Sequence, residues 1–274
     1  MKEKYDIKMD ILGPEEGQEK EVKILSRVIR WTNEGLEYEA DQRHADLLVK
    51  EMKMEEVKSA ATPMVSQTEN KDEEDTELSP GDATRFRSIA ARINYVSADR
   101  PDLQFACKSV SKFMSNPTMK GWENHKRVVK YIKGKPRLIQ RFAWEEVSKE
   151  IVGLADSDWA GDKKTMKSTS GGVIQWGTHV LKSWSTSQTT LALSSGEAEL
   201  YAMTKAATQV TGIISLASDF GINLNGTIMP DSNAAIGITH RTGLGGRCRH
   251  IKVQYLWIQE RVKSGDLNTP HDNL

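Results

Sequence analysis

A carboxylate on the apolar stripe of a long helix constrains this chain more than any other feature. The run LALSSGEAELYAMTKAATQV has the length and the Ala, Leu and Met content of a helix, with Ser194 and Ser195 as candidate caps and Glu197 in the first turn. Steps of three, four, seven and eleven from Glu199 reach Ala202, Met203, Ala206 and Val210, all apolar. At 3.6 residues per turn, Glu197 falls about 200° away. Glu199 is therefore expected to face the core and Glu197 to face water.

Two further acids sit where elements should end. In IVGLADSDWAG, Val152, Leu154 and Asp156 alternate with their neighbours and are expected to share the buried face of a strand. Asp158 has the same phase as Asp156, so parity leaves both open. Asp231 closes the strand-like run GTIMP and precedes an Ala and Ile pattern that suggests another helix. Hard divalent cations are held by a few carboxylates together with water and phosphate oxygens, so three inward acids at element ends make an open site for Mg²⁺ or Mn²⁺. Two such ions can flank a scissile phosphate. Caps and ordinary salt bridges are the competing account of the same three acids.

The string ADSDWAGDKKTMKSTSGGVIQWGTHVLKSWSTSQTTLALSSGEAELYAM, then PDSNAAIGI and CRHIKVQYLWIQERVKSGDL, resembles the ribonuclease H domain of copia-type retrotransposon Pol polyproteins across residues 151 to 266. The resemblance implies that Asp156, Glu199 and Asp231 are the catalytic metal ligands, and it selects Asp156 over Asp158. It also implies an RNA·DNA hybrid as substrate, cleaved on its RNA strand, with recognition through phosphates and 2′-hydroxyls. Members of that family continue into a further strand and an NPAD-like segment carrying a fourth carboxylate. This chain reads SGDLNTPHDNL instead, and neither Asp266 nor Asp272 lies in a matching context.

The first half resembles the region that precedes that domain in the same polyproteins. EVKILSRVIRWTNEGLEYEADQRHADLLVKEM resembles the end of a reverse transcriptase palm, with a hairpin turned at Thr32 to Gly35 and a short helix after it. DATRFRSIAARINYVSADRPDLQFACKSVSKFMSNPTMKGWENHKRVVKYIKGKP resembles the thumb and connection. Phe86, Ile89, Ile93 and Val96 fit one helix, Leu103, Ala106, Val110 and Phe113 a second, and Trp122, Val129 and Ile132 a third. A reverse transcriptase palm needs adjacent aspartates. The sequence contains no Asp-Asp pair, so it is not expected to be a complete reverse transcriptase.

Formal charge sums to zero over 274 residues, yet it is unevenly spread. Residues 83–141 hold fourteen Lys and Arg against three acids (Asp99, Asp102, Glu123), an excess of eleven positive charges. Such an excess favours a polyanionic partner over a merely solvated face. Lys126, Arg127, Lys130 and Lys133 follow helical steps and are candidates to meet a phosphate backbone. The compensating acids cluster in NKDEEDTELSPGD, a linker by composition. No apolar stretch reaches bilayer length, and MKEKYDIK is too charged for a signal peptide. Cys107 and Cys248 are too few and too isolated for a zinc site or a disulfide framework, which favours a reducing compartment.

Residues flanking the three acids carry chemistry of their own. His250 is expected to open a helix with the stripe Ile251, Tyr255, Ile258 and Val262, where it either braces the helix entrance or positions substrate. The loop TGLGGRCRH combines three glycines with Arg247 and Arg249, which suits phosphate approach without being a recognised nucleotide fingerprint. Lys167, Ser168, Thr169 and Ser170 read as a polar turn before the second strand, and most of the tryptophans as core.

The expected architecture is α/β: a ribonuclease H-like mixed sheet with flanking helices, preceded by a mostly helical thumb/connection module. Its divisions are a palm remnant over 1–68, an acidic linker over 69–82, a basic helical module over 83–143 and a C-terminally truncated nuclease domain over 150–266. The expected partners are an RNA·DNA hybrid and the remainder of a Pol polyprotein, with no membrane, in the cytoplasm, a retrotransposon particle or the nucleus. A catalytically inert nucleic-acid-binding remnant is the alternative. Strand-transfer enzymes share such a sheet, but their acids run Asp, Asp, Glu, whereas these run Asp, Glu, Asp.

Overall fold

The structure, a computed structural model, describes residues 9–65, 75–241 and 249–270. It divides into two compact units at Trp144 and Glu145.

In the first unit, strands β1 (Glu21–Ile24), β2 (Arg27–Thr32), β3 (Gly35–Glu39) and β4 (Ile139–Ala143) form an antiparallel sheet in that order. Asn33 and Glu34 turn the hairpin between β2 and β3, as expected from the sequence. Helices α1 (Arg43–Glu51), α2 (Pro80–Ser97), α3 (Gln104–Ser111) and α4 (Met119–Gly134) share a core built on Leu48, Ile89, Ile93, Val110, Val128 and Ile132. Ser79 caps α2 by accepting from Asp82 N, with Pro80 at the first helical position, where its missing N–H costs nothing. Residues from both sides of the 66–74 stretch, Ala45 to Met54 before it and Ile89 to Ile132 after it, contribute to this one core. The segment expected to be mostly helical ends in a strand, β4, which pairs along its length with β3 from Gly35↔Ala143 to Glu39↔Ile139.

The second unit contains a five-stranded mixed sheet. Strands β5 (Glu150–Asp158), β6 (Thr169–Trp176), β7 (His179–Ser187), β8 (Asn225–Pro230) and β9 (Leu267–Asn268) lie in the order β7-β6-β5-β8-β9. The first three are antiparallel neighbours, while β8 runs parallel to β5 and β9 parallel to β8. A parallel neighbour requires a crossover, and helix α5 (Ser195–Asp219) lies within it. Helices α6 (Asn233–Thr239) and α7 (Trp257–Lys263) connect β8 to β9. Thr169 and Ser170, expected in the preceding turn, already belong to β6.

The face of β5 that α5 covers is the opposite of the expected one. Ile151, Gly153 and Ala155 point into the core, while Leu154 and Asp156 are exposed. The cause is the close approach of the helix: a Cβ on Gly153 would lie 2.8 Å from Val210 Cγ2 on α5. The core closes over Ile151, Ile174, Leu200, Met203, Ala206, Val210 and Ile228. On the other face, Leu154 and Met229 are paired in register and both remain exposed.

Candidate metal centre

Three elements deliver one acid each. Asp156 stands near the end of β5, Glu199 in the second turn of α5, and Asp231 just past the end of β8, before Ser232 caps α6 by accepting from Ala235 N. Ser194 fixes the start of α5 by accepting from Glu197 N at 3.2 Å. Each of the three acids offers a carboxylate oxygen, and these oxygens lie within 4.8 Å of one another.

Glu199 is the buried member at 7 % exposure, and Asp156 and Asp231 are exposed. Its Oε1 accepts from Ser157 twice, from the backbone N at 3.1 Å and from the hydroxyl at 2.7 Å. Oε2 is buried without any hydrogen-bond partner. Burial raises the Glu199 carboxyl above its ordinary range, and the nearby Asp231 and Asp156 charges add to that rise against the lowering by Ser157. An unpartnered buried carboxylate oxygen beside two more carboxylates is a costly arrangement unless a cation joins it. The donor set is all hard oxygen, which fits Mg²⁺ or Mn²⁺ and not a thiophilic ion.

Glu197 departs from expectation. It is buried at 4 %, not turned to water. Its Oε2 accepts from Leu193 N at 2.8 Å and lies 2.9 Å from His250 Nε2, and Oε1 accepts from the Tyr201 hydroxyl. Burial by itself would raise this carboxyl, yet hydrogen bonds from Tyr201, His250 and Leu193 together hold it below its ordinary range. Tyr201 in turn stacks on Tyr255, 3.8 Å between ring centroids, and the Tyr255 hydroxyl lies 3.2 Å from Thr190 Oγ1. A carboxylate one helical turn before a tyrosine was a local signal for this pairing. Nothing local signalled the covering segment, which lies more than fifty residues away in the chain.

His250 does not open a helix. Lys252 is extended, a short 3₁₀ turn spans Val253–Tyr255, and α7 begins only at Trp257. Arg249 is exposed, and Arg247 and Cys248 lie outside the described residues. Asp266 is paired with Arg261 at 2.8 Å and is not one of the three clustered acids, and Asp272 lies outside the described residues. Among the tryptophans of this unit, Trp184 is buried, whereas Trp159 is 48 % exposed and donates Nε1 to Ala192 O at 3.1 Å.

The α4 cations are largely engaged within their own unit. Lys126 pairs with Glu123 at 2.5 Å, Arg127 donates to Thr62 Oγ1 at 2.8 Å, and Lys133 donates to Val57 O at 2.7 Å. Lys130 is half-buried. Cys107 is buried and donates to Asn94 Oδ1 at 2.7 Å.

A mixed sheet in this strand order, with acids gathered at the ends of two parallel neighbours and on the crossover helix, defines a ribonuclease H-like domain. No protein-family profile matches the chain. The chain is 30% identical over 240 residues, 87% of its length, to the Retrovirus-related Pol polyprotein from transposon RE2 of Arabidopsis thaliana, and spans 16% of that polyprotein. It superposes on a foamy viral protease-reverse transcriptase dRH in complex with double-stranded DNA with a TM-score of 0.56 at 12% identity, covering 94% of this chain and 38% of that one. A foamy viral protease-reverse transcriptase in complex with an RNA/DNA hybrid gives 0.51 at 11% identity, covering 93% and 29%. The chain belongs to the Pol polyproteins of copia-type retrotransposons, as a segment with an RNase H-like fold. No helix among the described residues is long and apolar enough to cross a membrane.

Proposed function

We propose that the second unit hydrolyses the RNA strand of RNA·DNA hybrids, with Asp156, Glu199 and Asp231 holding Mg²⁺ or Mn²⁺. The observation that carries this reading is the convergence of the three carboxylates within 4.8 Å around a buried Glu199 oxygen that has no protein partner. The metal, when bound, supplies Lewis acidity to the phosphate and to the attacking water. Ser157 keeps the Glu199 carboxylate directed at the site, and the two exposed aspartates leave its mouth open to a phosphodiester. The foamy viral relative's complex with a hybrid supports the choice of substrate. We assign residues 9–144 as the end of a reverse transcriptase palm and its thumb or connection, contributing to hybrid binding as part of a larger Pol assembly in the cytoplasm or a retrotransposon particle.

The test is incubation of the purified chain with labelled RNA·DNA hybrid and Mg²⁺ or Mn²⁺ beside an Asp156→Asn variant. The expected result is metal-dependent cleavage of the RNA strand that the variant loses. Binding of hybrid with no cleavage under either ion would replace this reading with that of an inert nucleic-acid-binding remnant, for which the engagement of Asp266 by Arg261 is the supporting observation.

A further inference from the structure

Glu197 is the one buried acid of the α5 amino-terminal turns that does not point at the metal centre. It leaves the helix about 200° from Glu199, and its carboxylate joins three pieces of chain: the loop before α5 through Leu193 N, the next turn through Tyr201, and the 249–256 segment through His250. Leu193 N and the Tyr201 hydroxyl are both donors to it. A carboxylate with that set of partners acts only as an acceptor, so the His250 nitrogen facing it carries a proton. Nε2–H is thereby fixed, and Nδ1 is the ring atom left for something else. The His250 side chain is 43 % exposed, so the imidazole is anchored at one nitrogen and open at its other edge. Arg249, exposed, is its neighbour in sequence.

We propose that Glu197 is a positioning residue that holds His250 with Nδ1 toward a backbone phosphate of the nucleic acid, next to the phosphate at the metal centre and distinct from it. This deepens the hydrolysis reading and rests on it for the identity of the ligand. When a phosphate oxygen takes a proton-bearing Nδ1 while Nε2–H stays on Glu197, carboxylate, imidazole and phosphate form a chain of charge-assisted hydrogen bonds. The separation of Glu197 and Glu199 around the helix is what makes this a second phosphate: one helix end serves two contacts on different sides. Such a contact is the same in the ground and transition states, so its loss raises KM and spares kcat.

The experiment is a double-mutant cycle on the full chain with Glu197→Ala, His250→Ala and the pair. Affinity for a fluorescein-labelled RNA·DNA hybrid is read by anisotropy without divalent ion, and kcat and KM are read with Mg²⁺. Each single variant is expected to weaken binding roughly tenfold or more, the scale of one charged hydrogen bond. The double variant should be no weaker than His250→Ala alone, with kcat within about twofold throughout and Mn²⁺ affinity unchanged, since residues acting as one unit are not additive. Glu197→Gln can keep the acceptor toward Leu193 and His250 while turning its amide to the Tyr201 hydroxyl, so it should retain part of the affinity and guard against misfolding. Independently of activity, the ¹⁵N shifts of the His250 ring should report a proton held on Nε2 in the wild type, with Nδ1 gaining one when hybrid is added, and no such preference for Nε2 in Glu197→Ala. Additive losses, or a fall in kcat at constant KM, overturn the proposal. If the wild type binds hybrid with a non-additive cycle yet never cleaves it, the hydrolysis reading fails and this one stands; cleavage with an additive cycle is the reverse.

Discussion

Ser157 donates both its backbone N–H and its hydroxyl to Glu199 Oε1, at 3.1 and 2.7 Å, while Glu199 Oε2 has no partner. The strand thus holds one oxygen of the helix carboxylate and leaves the other for a cation. Ser157→Ala removes the hydroxyl bond and keeps the backbone one. Loss of a hydrogen bond to a charged group costs about 1.5–3 kcal/mol, and relaxation at this half-exposed serine puts the effect at the lower end. Mn²⁺ affinity, measured by calorimetry, should fall roughly tenfold on that scale, and an unchanged affinity would mean that Glu199 orients without its strand partner.

Three carboxylates within 4.8 Å repel one another when no cation is present. Neutralising the buried one by Glu199→Gln is therefore expected to raise Tm in the presence of a chelator, by about 4 °C for each kcal/mol relieved in a unit of this size. Added Mn²⁺ should raise the wild-type Tm in a concentration-dependent way, because a ligand of the native state stabilises by mass action. The variant should show little of that rise. A variant that melts lower than wild type in chelator would show that the acids are not in repulsive contact.

The stripe of a helix marked Glu199 and the end of a short apolar run marked Asp231, whereas strand phase put Asp156 on the wrong face and only the family resemblance separated it from Asp158. The fate of Glu197 was not legible, since helix periodicity reports only the face turned to the sheet, and the segment around His250 covers the other side from far along the chain. The buried face of β5 was hidden for a related reason. Both faces of IVGLADSDWAG carry apolar residues, and only the space beside Gly153 decides where α5 lies. The positive excess over 83–141 is plain in the sequence, but much of it is used internally. Arg92 pairs with Glu51, Arg137 with Glu39, Arg141 with Glu37, and Arg100 with Asp102, while Arg85 and Arg87 donate to backbone carbonyls.

That internal use changes what removing the α4 cations should do. If Lys126, Arg127, Lys130 and Lys133 all faced a phosphate backbone, replacing them by Ala would lower the salt slope of binding by about 3.6 on the duplex scale. With Arg127 and Lys133 bonded to the 57–62 segment, the slope should fall by no more than roughly half of that, and Tm should drop as the segment loosens. Plotting the logarithm of the hybrid binding constant against that of the salt concentration decides it. A loss of the full slope with unchanged Tm would return these side chains to the nucleic acid.

His125 supplies a pH dependence of stability. It is fully buried against Phe86, with ring centroids 4.0 Å apart and neither nitrogen hydrogen-bonded. Burial depresses it from 6.5 to about 4. Between those values the unfolded chain binds the proton and the folded one does not, so stability is fully present above about pH 6.5 and declines as pH falls toward 4. At 1.36 kcal/mol per pH unit the loss by pH 4.5 is about 2–3 kcal/mol. Urea midpoints at pH 7 and 4.5 should differ by less in His125→Leu than in the wild type, and an equal difference would remove His125 as the cause.

Gly153 sets the distance between the helix carrying Glu199 and the strand carrying Asp156. A methyl group there would lie 2.8 Å from Val210 Cγ2 and 3.1 Å from Ile228 Cδ1, both in the closed core. Gly153→Ala must therefore push α5 away from β5, and overpacking of this kind costs about 1–3 kcal/mol. The displacement also draws Glu199 from Ser157, so Mn²⁺ affinity should fall together with the urea midpoint. Adding Val210→Ala vacates the nearer clash and should recover part of both, while making a small cavity of its own when introduced alone. If Gly153→Ala leaves stability and metal affinity at wild-type values, the helix lies farther from the strand than this packing places it, and the geometry of the three acids must be set by some other contact.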